Sequence, residues 1–181
     1  MPGNQTIDRH GGGRVFRRFS DLGVVEASSR RHWHHVGWTF KMIEVKGFKG
    51  PFEFLSNFSR HGFWFMGHWY KTNEHFYQAA KCADSYTAYT VREAATPGYA
   101  KKRGVTVQLV VNWDEIKLGV MALGLQLKFT QNADIRQLLT NTDGMYLEET
   151  NPWGDTYWGV CRGEGKNMLG HLLMVTRDAL K

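Results

Sequence analysis

Residues 72–81 constrain the fold and the function of this chain more than any other stretch. We predict a helix here with Thr72 as its N-cap, because a threonine hydroxyl can accept from the amides of the first turn. Side chains three, four and seven positions apart share a helix face, so Glu74, Gln78 and Lys81 point into one space. A carboxylate, an amide and an amine are costly to bury together unless they line a polar pocket. The alternative is that Glu74 only complements the helix dipole and Lys81 is solvated.

The length of 181 residues predicts one domain with a real hydrophobic core. An apolar content of 42% is typical of a packed globular protein rather than a disordered one. Cys82 and Cys161 are too few for a disulfide framework, so we expect a reducing, cytoplasmic setting. No apolar run approaches the roughly 20 residues that cross a bilayer, and no signal peptide is recognisable, so we expect no membrane association.

Most of the net charge of +6 lies at the start of the chain. Residues 1–41 carry seven basic and three acidic side chains, whereas residues 42–181 carry sixteen and fourteen. The positive total is therefore weak evidence that the folded body binds nucleic acid.

Residues 1–41 lack any sustained period of 2 or 3.6 and contain a run of three glycines from Gly11 and a histidine cluster at 32–35. We predict a disordered extension over 1–41 and a folded domain over 42–181. Three alternatives stay open for the leading segment. They are a basic arm for nucleic acid, a histidine-rich metal site (although no zinc-like spacing is present), and an upstream region read through before a translation start at Met42.

The pattern from residue 42 onward predicts a helix-rich α+β domain with a small β-hairpin or sheet. We expect residues 52–58 to be partly extended and residues 63–66 and 69–71 to form a hairpin around Gly67-His68. Strands 145–149 and 156–160 are expected to pair. The further predicted helices cover residues 85–95, 96–104, 112–127, 133–140 and 167–180.

The helix that starts near residue 112 shows the clearest amphipathic spacing. Asn112 is its expected cap, with Glu115 in capping-box register. The residues expected to face the core are Ile116, Val120, Leu123 and Leu127.

A Gly-x-Gly element, Gly163 and Gly165, leads into the last predicted helix, where free amides favour a phosphate. It does not match the dinucleotide-binding fingerprint, because Met168 stands where the third glycine should be. It does not match a Walker loop either.

Four motifs in this order resemble the NADAR family, also called YbiA-like, whose members process NAD- and ADP-ribose-type compounds. The resemblance runs from about Ile43 to the C-terminus. The motifs are Phe54-Leu55-Ser56-Asn57-Phe58, then Thr72-x-Glu74-His75-x-Tyr77-Gln78-x-x-Lys81, then Asn112-Trp113, and Trp158-Gly159 followed by Gly165-x-Asn167-x-Leu169-Gly170.

The resemblance implies a compact, helix-rich α+β enzyme that hydrolyses N-glycosidic bonds of ribosylated nucleobases. One branch of the family resembles N-glycosidases that act on phosphoribosylamino-pyrimidine intermediates of riboflavin synthesis. Another removes ADP-ribose from guanine in nucleic acid. We therefore expect a ribosyl-phosphate or ADP-ribosyl small-molecule substrate, or ADP-ribosylated nucleic acid, and no cofactor. The alternative is a non-catalytic module that binds ADP-ribose or a nucleotide; the presence of both Glu74 and Lys81 favours the enzyme.

By motif match, Glu74, Trp113 and Asp155 correspond to positions implicated in activity in this family. The segment after Trp158 departs from the pattern, since residues 160–162 stand where many members carry an Asp-Gly pair.

Cleavage of a ribosyl C–N bond builds positive charge on the sugar, so a carboxylate beside it is needed. We expect Glu74 to be that carboxylate or the base that activates water, and Asp155 to be the second acid or base. Lys81 either forms a Schiff base with ring-opened ribose or binds phosphate.

The remaining candidates are substrate-binding residues. Asn57 and Asn167 are expected to hold ribose hydroxyls or phosphate oxygens, and Phe58, Trp113 and Trp158 are candidates to stack on the base or to lie in the core. Gly159 and Gly165 belong to the same binding region. No metal site is expected, because His68 and His75 are seven residues apart with no third ligand at a familiar spacing.

Overall fold

Six α-helices, one 3-10 helix and four short strands make up the computed structural model, which describes residues 43–181. The expected helix-rich α+β fold with small sheets is confirmed. The proposed extension over residues 1–41, its alternatives and the Met42 start lie outside the described residues. The elements in chain order are β1 Glu44–Lys46, the 3-10 helix Gly50–Leu55, β2 Phe63–Phe65, β3 His68–Tyr70, α1 Asn73–Ala80, α2 Ser85–Arg92, α3 Pro97–Gly104, α4 Trp113–Gln131, α5 Ala133–Thr140, β4 Tyr146–Glu148 and α6 Met168–Ala179.

The predicted hairpin is present as β2 and β3, which pair antiparallel with Phe65 opposite His68. Its turn is one residue earlier than expected. Met66 and Gly67 both have positive φ, at 47° and 75°. This conformation is typical of a two-residue turn whose twist matches that of the strands.

The predicted pairing of residues 145–149 with residues 156–160 is wrong. β4 pairs instead with β1, in parallel, with Val45 opposite Leu147. Only an isolated bridge joins Thr150 to Val160. The reason is that the carbonyls of residues 156–159 accept from the amides of residues 166–169, which lead into α6, so that they are occupied by that segment instead of by β4.

Local capping signals locate the helix starts well. The Thr72 hydroxyl accepts from the His75 amide at the start of α1, and Thr96 accepts from Tyr99 before Pro97 in α3. Asn112 differs from expectation, because it has φ of 61° and its side chain makes no capping bond. Residues 50–55 also differ, since they form a 3-10 helix with Pro51 in its first turn rather than an extended segment.

The face that α4 buries is not the expected one. Ile116 and Leu123 are 44% and 40% exposed. α4 packs against α1, α5, α6 and β2, and these contacts select a neighbouring stripe that contains a glycine and a lysine. The buried residues of α4 are Trp113, Met121, Gly124, Leu125, Lys128 and Phe129.

The main hydrophobic core joins α4 to α6, β4 and the 3-10 helix, with fully buried Leu55, Leu125, Phe129, Leu147 and Leu173. A smaller cluster lies under α2 and α3 around Val91 and Ala100. Among the described residues, no helix combines the length and the apolar character needed to cross a bilayer.

Candidate active site

Glu74 is a buried carboxylate in the first turn of α1, with only 6% of its surface exposed. Its amide donates to the carbonyl of Asn57 over 3.0 Å. The side-chain amide of Gln78 donates to its Oε1 over 2.8 Å. Burial raises the pKa of Glu74, and the Gln78 hydrogen bond and the charges of Lys101 and Lys81 oppose that rise. Glu74 and Gln78 therefore share one face, as the helical spacing predicted.

Lys81 caps the C-terminal end of α1 and is half-buried. Burial lowers the pKa of its amine, and the negative charge of Glu74 opposes the shift. Gly104, the last residue of α3, packs directly on this face. A Cβ at Gly104 would overlap Gln78 Oε1 and lie 3.0 Å from Lys81 Cε. The two helices thus meet at a glycine that leaves room for the polar side chains of α1.

Asp155 is held in a loop by a reciprocal pair of bonds with Asn151. Its amide donates to Asn151 Oδ1 over 3.0 Å, and Asn151 Nδ2 donates to its carbonyl over 2.7 Å. Its Oδ1 accepts from the amides of Tyr157 and Trp158. These bonds fix the carboxylate in orientation. Burial and, to a smaller extent, the charge of Asp155 raise the pKa of Glu74.

Glu149 is a second acid beside Asp155 that was not among the residues expected from sequence. Burial and then the charge of Asp155 raise its pKa to about 7, against the charges of Lys101 and Lys49. Its Oε2 is buried and has no hydrogen-bond partner within residues 43–181. The only sequence signal was its position at the end of a predicted strand, next to another glutamate, Glu148.

Lys101 lies near two exposed aromatic rings, and its charge also opposes the raised pKa of Glu74 and of Glu149. Its Nζ lies 6.0 Å from the ring centroid of Phe58 and 5.4 Å from that of Trp153. The rings are 40% and 60% exposed. We call Phe58, Lys101 and Trp153 the aromatic rim. Phe58 was expected near the site; Lys101 and Trp153 were not, because neither lies in a motif.

The other two predicted aromatic residues lie deeper. Trp113 is buried in the core and packs on Tyr77 with ring centroids 5.2 Å apart. Trp158 is half-buried and meets Tyr77 edge to face at 5.5 Å. Trp113 therefore packs in the core against α1 and does not form an open surface on which a base could stack.

Asn57 and Asn167 use their side chains inside the protein. Asn57 Oδ1 accepts from Asn73 Nδ2 over 2.8 Å. Asn167, 2% exposed, accepts from the Glu149 amide at Oδ1 and donates through Nδ2 to the carbonyl of Leu147 and the hydroxyl of Tyr146. Their geometry makes them supports: Asn57 for the start of α1, Asn167 for Glu149.

The expected phosphate cradle at the start of α6 is not formed. The amides of residues 166–169 already donate to the carbonyls of residues 156–159. Gly159 and Gly165 serve close packing: a Cβ on Gly159 would overlap the Glu149 carbonyl, and one on Gly165 would overlap that of Gly159. These glycines press the Trp158 segment against Glu149.

The described surface includes two cavities of similar volume. One, of about 590 Å³, is bounded by the Trp153 loop and the turn from Cys161 to Glu164. The other, of about 610 Å³, lies between α2 and α3. Neither is lined by Glu74, Lys81 or Asp155, and the first reaches the aromatic rim through Trp153. Among residues 43–181 no three His, Cys, Asp or Glu side chains are grouped as metal ligands.

Comparison with known proteins finds a family model and named relatives that match most of the described residues. The family model described as the NADAR domain matches residues 45–181. N-glycosidase Npun_R5314 of Nostoc punctiforme is 36% identical over 137 residues, which cover 72% of this chain and 87% of that protein. N-glycosidase YbiA of Escherichia coli (strain K12) is 37% identical over 129 residues, covering 70% and 80%.

Similarity extends to a solved structure and to plant proteins. The NMR structure of E. coli YbiA matches with a TM-score of 0.71 and 33% identity, covering 77% of this chain and 85% of that chain. Riboflavin biosynthesis protein PYRR of Zea mays is 32% identical over 122 residues, which are 60% of this chain but only 19% of that longer protein.

Proposed function

Because the chain belongs to the NADAR domain family, we propose that it hydrolyses the ribosyl C–N bond of a phosphoribosylated or ADP-ribosylated nucleobase. Its relatives named N-glycosidases are 36–37% identical over most of its length, and the chain is accordingly a hydrolase of N-glycosyl bonds. The observation that carries the finer proposal is the buried Glu74 carboxylate, whose Oε1 accepts from the side-chain amide of Gln78 over 2.8 Å.

Glu74 acts on the sugar in this mechanism. Loss of the base leaves positive charge on C1 and the ring oxygen, and a desolvated carboxylate stabilises that charge more than a solvated one does. The Gln78 bond occupies Oε1 and fixes the carboxylate, so Oε2 is the oxygen that faces the sugar or the attacking water. Lys81 then holds the phosphate of the substrate at the far end of α1.

Glu149 donates the proton that the departing base needs. A carboxyl group with a pKa of about 7 is substantially protonated at neutral pH and is still acidic enough to act as a general acid. Burial and then the charge of Asp155, which two backbone amides fix in place, keep that pKa high. Water then attacks C1 and releases one proton to the carboxylates, which replaces the proton that Glu149 donated to the base.

An alternative for Lys81 is covalent catalysis. Its neutral amine would add to C1 of the ring-opened ribosyl imine, expel the base as a free amine and leave an imine on Nζ, which water then hydrolyses. The lowered pKa of Lys81 favours the neutral nucleophile. Reduction with borohydride during turnover distinguishes the two routes, because only the imine leaves a ribosyl adduct on Lys81.

The aromatic rim is the surface on which the nucleobase of the substrate stacks. Two exposed rings flanking a cation can stack on a planar heterocycle, while Lys101 meets its carbonyl oxygens or a phosphate. The plant relatives named riboflavin biosynthesis proteins favour a phosphoribosylamino-pyrimidine over an ADP-ribosylated base.

The test is incubation of the full chain with each substrate type, with mass-spectrometric detection of ribose 5-phosphate or ADP-ribose. We expect release of ribose 5-phosphate from the phosphoribosylamino-pyrimidine. Binding of either compound without any cleavage would indicate the non-catalytic module instead.

A further inference from the structure

Lys128 is a buried lysine that the proposed reaction does not use. It lies in the second half of α4 with 0% of its surface exposed. None of the ion pairs formed within residues 43–181 includes it. A buried ammonium without a carboxylate is costly, so its surroundings must compensate its charge by other means.

Backbone carbonyls provide that compensation. Lys128 Nζ donates to the carbonyl of Phe54 over 2.7 Å and to that of Ser56 over 2.9 Å. Both lie at the C-terminal end of the 3-10 helix, where the last carbonyls carry partial negative charge. The Phe129 ring centroid is 5.0 Å from Nζ and adds a cation–π contact.

The segment that Lys128 holds leads directly to Glu74. Asn57 follows Ser56, and its carbonyl accepts from the Glu74 amide over 3.0 Å. Its side chain accepts from Asn73, the first residue of α1, over 2.8 Å. Met121, two helical turns before Lys128 on α4, contacts both asparagine amides through its sulfur. α4 thus holds the entry to α1 at two points.

We propose that Lys128 is a positioning residue: its ammonium fixes residues 54–57 and, through Asn57, the start of α1 and the Glu74 carboxylate. The effect on turnover rests on the proposed function. The coupling between Lys128 and Asn57 does not, and it can be measured without any substrate.

Burial rather than a neighbouring charge sets when Lys128 is protonated. Burial lowers its pKa to about 7. His61 is the titratable group that responds to its charge: burial and then Lys128 lower the pKa of His61, while Asp134 and Glu53 oppose that shift. A lysine that titrates near neutrality can be followed without substitution, whereas an exposed lysine titrates near pH 10.

The first experiment follows the unmodified full chain by NMR from pH 5 to 9. We expect the ¹³Cε resonance of Lys128 and the backbone amide of Asn57 to shift with the same midpoint. His61→Gln should leave the Asn57 shift in place, which separates the lysine from the histidine. An Asn57 amide that stays constant while Lys128 titrates would overturn the proposal.

The second experiment compares Lys128→Met with Lys46→Met, an exposed lysine on β1, as matched control. Methionine keeps most of the volume and removes the cost of burying an ammonium that has no carboxylate partner. We expect kcat to fall about tenfold or more, with KM changed less than about twofold, because a small displacement of a reacting group acts on the transition state.

The outcomes are separable. Full kcat in a folded Lys128→Met protein overturns the positioning role. If that variant does not fold, the titration of the unmodified chain decides. If the unmodified chain cleaves neither substrate type, the proposed function fails, and the coupled shift of Lys128 and Asn57 still tests the positioning contact.

Discussion

The side-chain amide of Gln78 donates a 2.8 Å hydrogen bond to the carboxylate of Glu74, one turn earlier on the same helix. This bond lies in the interior, with both residues 6% exposed. It fixes the rotamer of the carboxylate and favours its charged form against the burial that raises its pKa. A buried acid held in this way is set up to meet a positive charge that develops nearby.

Glu74→Gln should abolish turnover and leave folding intact. The amide has nearly the same shape but cannot stabilise positive charge or activate water, and loss of such a group costs roughly 100-fold or more. The measurement is kcat on the cleaved substrate, with the unfolding transition as a check on structure. Glu115→Gln, which removes an exposed carboxylate from α4, is the control and should keep the original rate. A near-original rate in Glu74→Gln would reject the assignment.

Gly104→Ala should reduce kcat by disturbing Gln78. The added methyl would overlap Gln78 Oε1, and overpacking of this kind costs about 1–3 kcal/mol of unfolding free energy. Gly98→Ala in the same helix is the matched control, since its nearest neighbour would be 3.8 Å away. That control should gain roughly 0.5 kcal/mol and keep full activity. Equal activity in both variants would show that the Gln78 contact is dispensable.

Glu149→Gln should make stability less dependent on pH between about 4.5 and 7. The folded carboxyl has a pKa of about 7 against an ordinary 4.5, so the folded state holds a proton that the unfolded state has released. Folding stability from this group is complete below pH 4.5 and is lost as pH rises through 7. We expect the loss to be on the order of 2 kcal/mol after allowance for partial solvent screening. Urea unfolding at pH 5 and pH 8 measures it, and parallel pH profiles of the two proteins would contradict it.

Lys128→Met should change the pH dependence of stability between about pH 7 and 10.5, above the range in which Glu149 titrates. The folded pKa of Lys128 is about 7 against an ordinary 10.5, so the unfolded state binds the proton more tightly. The contribution of this group to stability therefore falls as pH decreases from 10.5 to 7. Relative to the original protein, Lys128→Met should be more stable at pH 7 than at pH 10. A constant difference in urea midpoint across this range would contradict the lowered pKa.

Trp153→Ala should raise KM and leave kcat nearly unchanged, if the rim stacks on the nucleobase. Base–aromatic stacking contributes about 1–3 kcal/mol, so we expect KM to rise roughly fivefold or more. Trp64→Ala on β2 is a suitable control, because Trp64 is similarly exposed at 58% and belongs to the hairpin rather than the rim. Steady-state kinetics with the cleaved substrate measure KM in both variants, and only Trp153→Ala should show the rise.

Features set within a few residues were predictable from sequence. Thr72 and Thr96 cap their helices because a hydroxyl next to the first turn is sufficient, and the spacing of Glu74 and Gln78 follows from helix geometry alone. The hairpin likewise follows from alternating residues around Gly67. The order of motifs was enough to indicate the family.

Features that join distant segments were decided only by the tertiary structure. The buried face of α4 depends on four neighbouring elements, and the carbonyls of residues 156–159 are occupied by residues that follow them by about ten positions. Glu149, Lys101 and Trp153 reach the site from separate loops and helices, so no local pattern marks them. The sequence determines which side chains share a face of a helix, because a helix has 3.6 residues per turn. Which other elements pack against that face is determined by the arrangement of the whole chain with the lowest free energy.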